Sequence, residues 1–176
     1  MCDWVQITVI GEARGMGSKI AVTSRRTGRA IVIDVGQAKL RKWQASVRQE
    51  MMAKRRAAAL AGPMQMALRH WVRRPKSHYG TGRNAKQLKD SAPEFPESGP
   101  DLDKILRAIQ DCGTRIWWED DDQVGSFALL DRVYIDDDHP ECAWIAFAPR
   151  ESEWVLSKPP SGPGLNGVFV RKEASE

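Results

Sequence analysis

Two short acidic stretches hold the residue types best suited to chemistry: Pro100-Asp101-Leu102-Asp103 and, about 18 residues further on, Glu119-Asp120-Asp121-Asp122-Gln123. Four consecutive acids repel one another unless a cation sits among them. Oxygen-only donors, few in number and with waters to complete the shell, suit Mg²⁺, with Mn²⁺ able to substitute. A calcium loop fits less well, because the run lacks alternating acids and a mid-loop glycine. Pro100 cannot lie inside a helix, so Asp101 falls at or before a first helical turn. If 101–103 is extended, Asp101 and Asp103 face one side while Leu102 enters the core. A purely structural role also suits Asp103, as an N-cap favoured by the helix dipole.

A frame must hold these carboxylates. Leu102, Ile105, Leu106, Ile109 and Cys112 fall at i, i+3, i+4, i+7 and i+10, which predicts a short amphipathic helix between the acidic stretches. After that helix, Trp117-Trp118 anchors the chain in a core, and the second stretch is expected to open a strand beside the helix entrance. Residues 123–135 and 141–148 read as two antiparallel strands joined at Asp136–Pro140. Upstream, 3–10, 18–23, 30–35 and 64–72 have strand patterns, and the polar turn at 24–29 makes 18–35 a hairpin with a basic tip. Leu40, Trp43, Val47 and Met51 mark a longer helix from Gly36 to about Leu60, ended by Gly62-Pro63. The Pro/Gly/Ser-rich segment 75–100 is long for a loop, so it should be functional or partly disordered. The order βββαβαββ argues for one compact α/β (α+β) domain over 1–149, with a mixed sheet and two main helices. The proline-rich tail, 150–176, is expected to be flexible.

Charge separates the chain into halves. Residues 1–99 carry 19 Lys/Arg against 7 Asp/Glu, a balance of +12; residues 100–176 carry 8 against 16, a balance of −8. The basic half suits a polyanion, and the acidic half would repel it unless cations intervene. Lys19, Arg25, Arg26 and Arg29 on the hairpin, with Arg83 and Lys86 in the 75–100 loop, are candidate contacts to a DNA backbone. Tyr79 could stack on an unpaired base, although a lone loop tyrosine is more often structural. No apolar run approaches the roughly 18 residues that cross a bilayer. Cys2, Cys112 and Cys142 form no CxxC pair, and the N-terminus shows no leader, so a reducing cytoplasmic setting is expected. Gly11 to Lys19 superficially resembles a phosphate loop, but the glycine positions and Gly-Lys-Ser order are wrong, which argues against a nucleotide cofactor.

The stretch PDLDKILRAIQD followed by DDDQV resembles the RusA family of Holliday junction resolvases, and HYGTGRNAKQLKDSAPEFP resembles the insertion of its phage-type members. In that resemblance Asp101 and Asp103 match the first two catalytic aspartates. Asp121, two residues before Gln123, matches the third, and Asp120 its acidic neighbour. Two positions depart. Lys104 stands where the family has Asn, and Arg107 where it has its catalytic lysine. Arg107 is still four residues past Asp103, so it reaches the same helix face and can offer a cation to a phosphate. The resemblance implies a homodimer that cuts four-way and other branched DNA in recombination and repair. Asp101, Asp103, Asp121 and Asp120 would hold Mg²⁺, with Arg107, Lys104 or both stabilising developing charge. Two other readings stay open: a branched-DNA-binding protein without nuclease activity, and an acidic partner-binding accessory of replication.

Overall fold

Residues 142–149 (CAWIAFAP) contain no charge, and a strand of that composition needs cover on both faces. In the computed structural model it has that cover. The structure describes all residues except 1, 2, 18, 35, 56–58, 136, 137 and 172–176. The strands are β1 (Val5–Ile10), β2 (Lys19–Thr23), β3 (Ala30–Asp34), β4 (Met64–Arg73), β5 (Val124–Ile135), β6 (Cys142–Pro149), β7 (Trp154–Lys158) and β8 (Val168–Arg171). The two helices are α1 (Gln37–Ala53) and α2 (Leu102–Gly113). Four strands form a mixed sheet in the order β1-β6-β4-β5, and β2-β3 is the expected separate hairpin. The architecture is therefore α+β.

One expected pairing is wrong. β5 and β6 run in opposite directions but do not touch, because β4 lies between them, parallel to β5 and antiparallel to β6. Burial follows the order: β4 and β6 are buried along most of their length in the middle, whereas β5, partly exposed between its buried ends, lies at the edge. Helix α1 also stops at Ala53 instead of about Leu60. Leu60 is instead drawn beside the two tryptophans, its N–H donating to Trp117 O at 2.8 Å.

Each face of the sheet has its own core. On one face, Leu40, Trp43, Val47 and Met51 of α1 and Ile105, Ile109 and Cys112 of α2 pack on Met64, Met66, Leu68, Ile145 and Phe147. On the other, Trp4, Trp71 and Trp144 are covered by Trp154, Leu156 and Phe169. The residues after 150 thus carry a hairpin, β7-β8, where proline content had suggested only a fraying tail. Its attachment is specific. Phe169 stacks on Trp4 at 4.6 Å, Trp4 Nε1 donates to Trp154 O, and Gln6 Oε1 accepts from both Trp144 Nε1 and the Gly167 N–H.

His70, on β4, is 1% exposed, and neither imidazole nitrogen has a hydrogen-bond partner among the described residues. Burial, reinforced by the nearby charge of Arg132, pushes its pKa down to about 4. An unfolded chain protonates this histidine near pH 6.5, so the folded state loses stability as pH falls from there toward 4 and is unaffected above. The expected loss is about 3 kcal/mol across that window. Denaturant melts at pH 7 and pH 4.5 should show it, and His70→Phe should remove most of the difference.

Candidate functional site

The second acidic stretch is a tight turn with a defined scaffold. Trp117 and Trp118 are fully buried and meet Phe147 edge-on at 4.8 and 5.5 Å. Their indoles donate to Met51 O and Gln110 O. Trp118 needs Gly113, since a Cβ there would lie 1.9 Å from the indole ring. From this anchor, residues 121–123 make one 3-10 turn. Asp120 Oδ1 accepts from the Asp122 N–H, while Gln123 Oε1 accepts from the N–H groups of Glu119 and Asp120. The same Gln123 donates through Nε2 to Leu60 O and Gly62 O, tying the turn to the approach to β4.

Within the turn, one carboxylate oxygen from each of Asp120, Asp121 and Asp122 lies within 4.8 Å of the others. A hydrogen bond with Asp120 raises the Asp121 carboxyl above its usual range, followed by partial desolvation and the charges of Asp120, Asp122 and Asp111. The turn is crowded with negative charge and presents hard oxygen donors, the donor set that a small divalent cation takes. It can hold such an ion.

The first stretch is arranged differently. Asp101, not Asp103, is the N-cap residue of α2, and its side chain makes no capping bond. Its carboxylate pairs instead with Lys104 Nζ at 2.7 Å, a bond that holds the Asp101 carboxyl below its usual range. Asp103 lies in the first helical turn and, with Lys104, Arg107 and Gln110, lines a cleft of about 660 Å³ closed by Met16 and Gly17. A neighbouring cleft of about 480 Å³ holds Asp101, Lys104 and Lys39 against Glu12, Arg14 and Gly15. Arg107 is exposed and makes no ion pair among the described residues.

Asp101, Asp103 and Asp121 are not gathered into one cluster. Among the described residues, the acidic turn alone brings three candidate ligands together. Gly113, the last residue of α2, packs on the Trp118 ring, and Thr114 bridges to Trp118 two residues before the acidic turn. The acidic turn therefore sits at the far end of α2, not beside its entrance. Between the two ends runs β5, the sheet edge. Its Phe127 and Leu130 pair with Met66 and Leu68 and share their helix-side face, yet are 43% and 38% exposed.

The basic candidates are spread over the surface. Arg25, Arg26 and Arg29 are exposed at the β2-β3 turn, and Arg83 and Lys86 are exposed in the 75–100 loop. Lys19 opens β2, and its side chain lies outside the described residues. Tyr79 is used within the loop, bridged to Leu88.

The family model for the endodeoxyribonuclease RusA matches residues 19–140, well over half of the chain. The chain belongs to the RusA endodeoxyribonuclease family. A search of curated proteins finds no match. Membership makes it a nuclease acting on DNA, in a family of Holliday junction resolvases. The RusA match takes in β2 to β5, both helices and both acidic stretches, and leaves β1, β6 and the β7-β8 hairpin outside. No helix of this RusA protein is long and apolar enough to cross a membrane.

Three positions beside the candidate site were not singled out from sequence. Asp111 follows Arg107 by four residues, so helical spacing alone could have placed it on the Asp103–Arg107 face. Gly15 has no room for a side chain, since a Cβ would lie 2.6 Å from Lys104 Cβ, and Met16 N–H reaches Lys104 O at 3.2 Å. Arg132, on β5, donates to Pro100 O at 2.8 Å and so holds the residue before Asp101. Nothing in the local pattern around Arg132 announces that reach.

Proposed function

We propose that this RusA-family nuclease is a homodimeric, Mg²⁺-dependent endonuclease that resolves four-way and related branched DNA by paired nicks. The observation that carries the reading is the carboxylate turn at Asp120–Asp122 in a chain of this family. Asp121 and Asp120 would hold the cation, with Mn²⁺ able to replace Mg²⁺, and Asp101 and Asp103 would complete the site. When bound, such an ion polarises a phosphate and lowers the pKa of a bound water. The chain's own residues do the rest. Arg107, with no carboxylate partner among the described residues, is available for the developing charge on the phosphate, and Lys104 keeps Asp101 ionised and aimed.

Dimerisation answers the separation along α2. Two copies facing each other across an antiparallel pair of β5 edges would cover Phe127 and Leu130. They would also bring the Asp121 end of one copy's α2 to the Asp103 end of the other's. A two-fold enzyme matches the approximate two-fold symmetry of a four-way junction, so each site meets one of the strands to be nicked. Arg25, Arg26, Arg29, Arg83 and Lys86 supply phosphate contacts on either side.

One gel tests the proposal: a four-way junction, a flap and a linear duplex, each with and without Mg²⁺. We expect nicking of the junction only with Mg²⁺, and little nicking of duplex. Junction binding without cleavage at any divalent cation would leave a binding protein instead. Equal cutting of all three substrates would sink the branch specificity.

A further inference from the structure

Phe95 is the most exposed large apolar side chain among the described residues, at 61%, yet the chain that carries it is held on both sides. It lies between Pro93 and Pro96, which fix the backbone φ two residues before it and one after. Arg74 Nη1 donates to Pro93 O at 2.7 Å, and the Arg74 guanidinium is itself seated over the Tyr134 ring at 3.9 Å. On the other side, Arg132 donates to Pro96 O at 3.4 Å and to Pro100 O at 2.8 Å. The two carbonyls are bonded to one guanidinium, so they stay within about 9 Å of each other. Gly99, at φ +134°, lets the chain close around it, with Arg132 Nη1 only 3.0 Å from where a Cβ would stand. One side chain thus fastens both the Phe95 tip and the residue that precedes Asp101. A fixed aromatic in water serves no packing purpose, since burying it would be worth about 2 kcal/mol.

We infer that Phe95 is a wedge that stacks on an unpaired or opened base at a DNA branch point, next to the cutting site. The inference rests on the branched-DNA reading above and deepens it. Aromatic side chains stack on bases without regard to sequence, and apolar wedges open base steps where the duplex yields. The flanking charges sharpen the preference. Glu94 and Glu97 are exposed on either side of the tip, so it is repelled by the continuous phosphate walls of a duplex. At a branch the backbones diverge, and an apolar tip with acidic shoulders can enter. The same feature that anchors near Asp101 would therefore select branched over linear DNA.

The test uses a four-way junction with 2-aminopurine beside the branch point, in EDTA so that no cutting occurs, and an unbranched duplex of the same sequence. Wild-type protein should raise the 2-aminopurine fluorescence on binding and prefer the junction. Phe95→Ala should lose the fluorescence change and lower the junction-to-duplex affinity ratio by about ten-fold, the scale of one lost stacking contact. Phe95→Trp should restore both, and Glu94→Gln/Glu97→Gln should lower the ratio by strengthening duplex binding. An unchanged ratio and fluorescence in Phe95→Ala, with wild type still preferring junctions, would overturn the wedge alone. A wild-type protein with no junction preference would overturn the branched-DNA reading and the wedge with it.

Discussion

Asp121→Asn should reduce junction cleavage in Mg²⁺ by about a thousand-fold or more, while junction binding survives. Asp121 is the centre of the one carboxylate cluster among the described residues, and the hydrogen bond with Asp120 raises its carboxyl above the usual range. Removing that ligand forfeits the several kcal/mol that a bound cation contributes to phosphate chemistry, and each 1.36 kcal/mol is a factor of ten. Binding should hold or tighten, because one charge that repels DNA is gone. Asp103→Asn should behave alike, and the pair then tests where the site is assembled. If it forms across two copies, a heterodimer of Asp103→Asn with Asp121→Asn, co-expressed with two tags and purified through both, keeps one intact site and nicks one strand. If each chain holds a complete site, that heterodimer is as inactive as either parent. Full cleavage by Asp121→Asn homodimers would remove Asp121 from the chemistry altogether.

The second large effect concerns the two cations on α2. Lys104 is bound to Asp101, whereas Arg107 projects from the same helix with no ion pair among the described residues. Arg107→Ala should therefore lose one or more orders of magnitude in single-turnover rate at saturating enzyme, as expected when a charge partner of the transition state is removed. Arg107→Lys should keep substantial activity, because a lysine supplies the charge on a shorter stem, although without the planar fork. Lys104→Ala should be milder, acting through the aim and ionisation of Asp101. The reverse order, with Lys104→Ala crippled and Arg107→Ala near normal, would give Lys104 the role instead. Normal rates in all three would place neither residue in the reaction.

Much of this was legible before any coordinates. The 3.6-residue spacing of Leu102 to Cys112 gave α2 almost to its ends, because one burial face dictates one period. The two acidic stretches were visible because four adjacent acids are costly without a purpose. Strand partners were not legible. Apolar content marks β5 as a strand but not that β4 slides between it and β6, a choice made by contacts between distant segments. The docking of Trp118 on Gly113 and the grip of Arg132 on Pro100 are likewise set by packing. They leave no periodic trace. The C-terminal hairpin was missed because its prolines and glycines outnumber the few aromatic anchors, Trp154 and Phe169, that dock it.

The position of β6 carries one more consequence, for timing. Both acidic stretches precede it in the chain, yet β6 is the strand that joins β1 to β4 and backs the two tryptophans with Phe147. During synthesis, every carboxylate of the candidate site leaves the ribosome before the strand that completes its support. Pairings between such distant segments form late, because the long intervening chain must be closed first. A partly made or truncated chain ending before residue 142 would carry the carboxylates without the frame that aims them. A DNA-cutting activity whose carboxylates are made before their support would stay silent until residues 142–149 have emerged and paired.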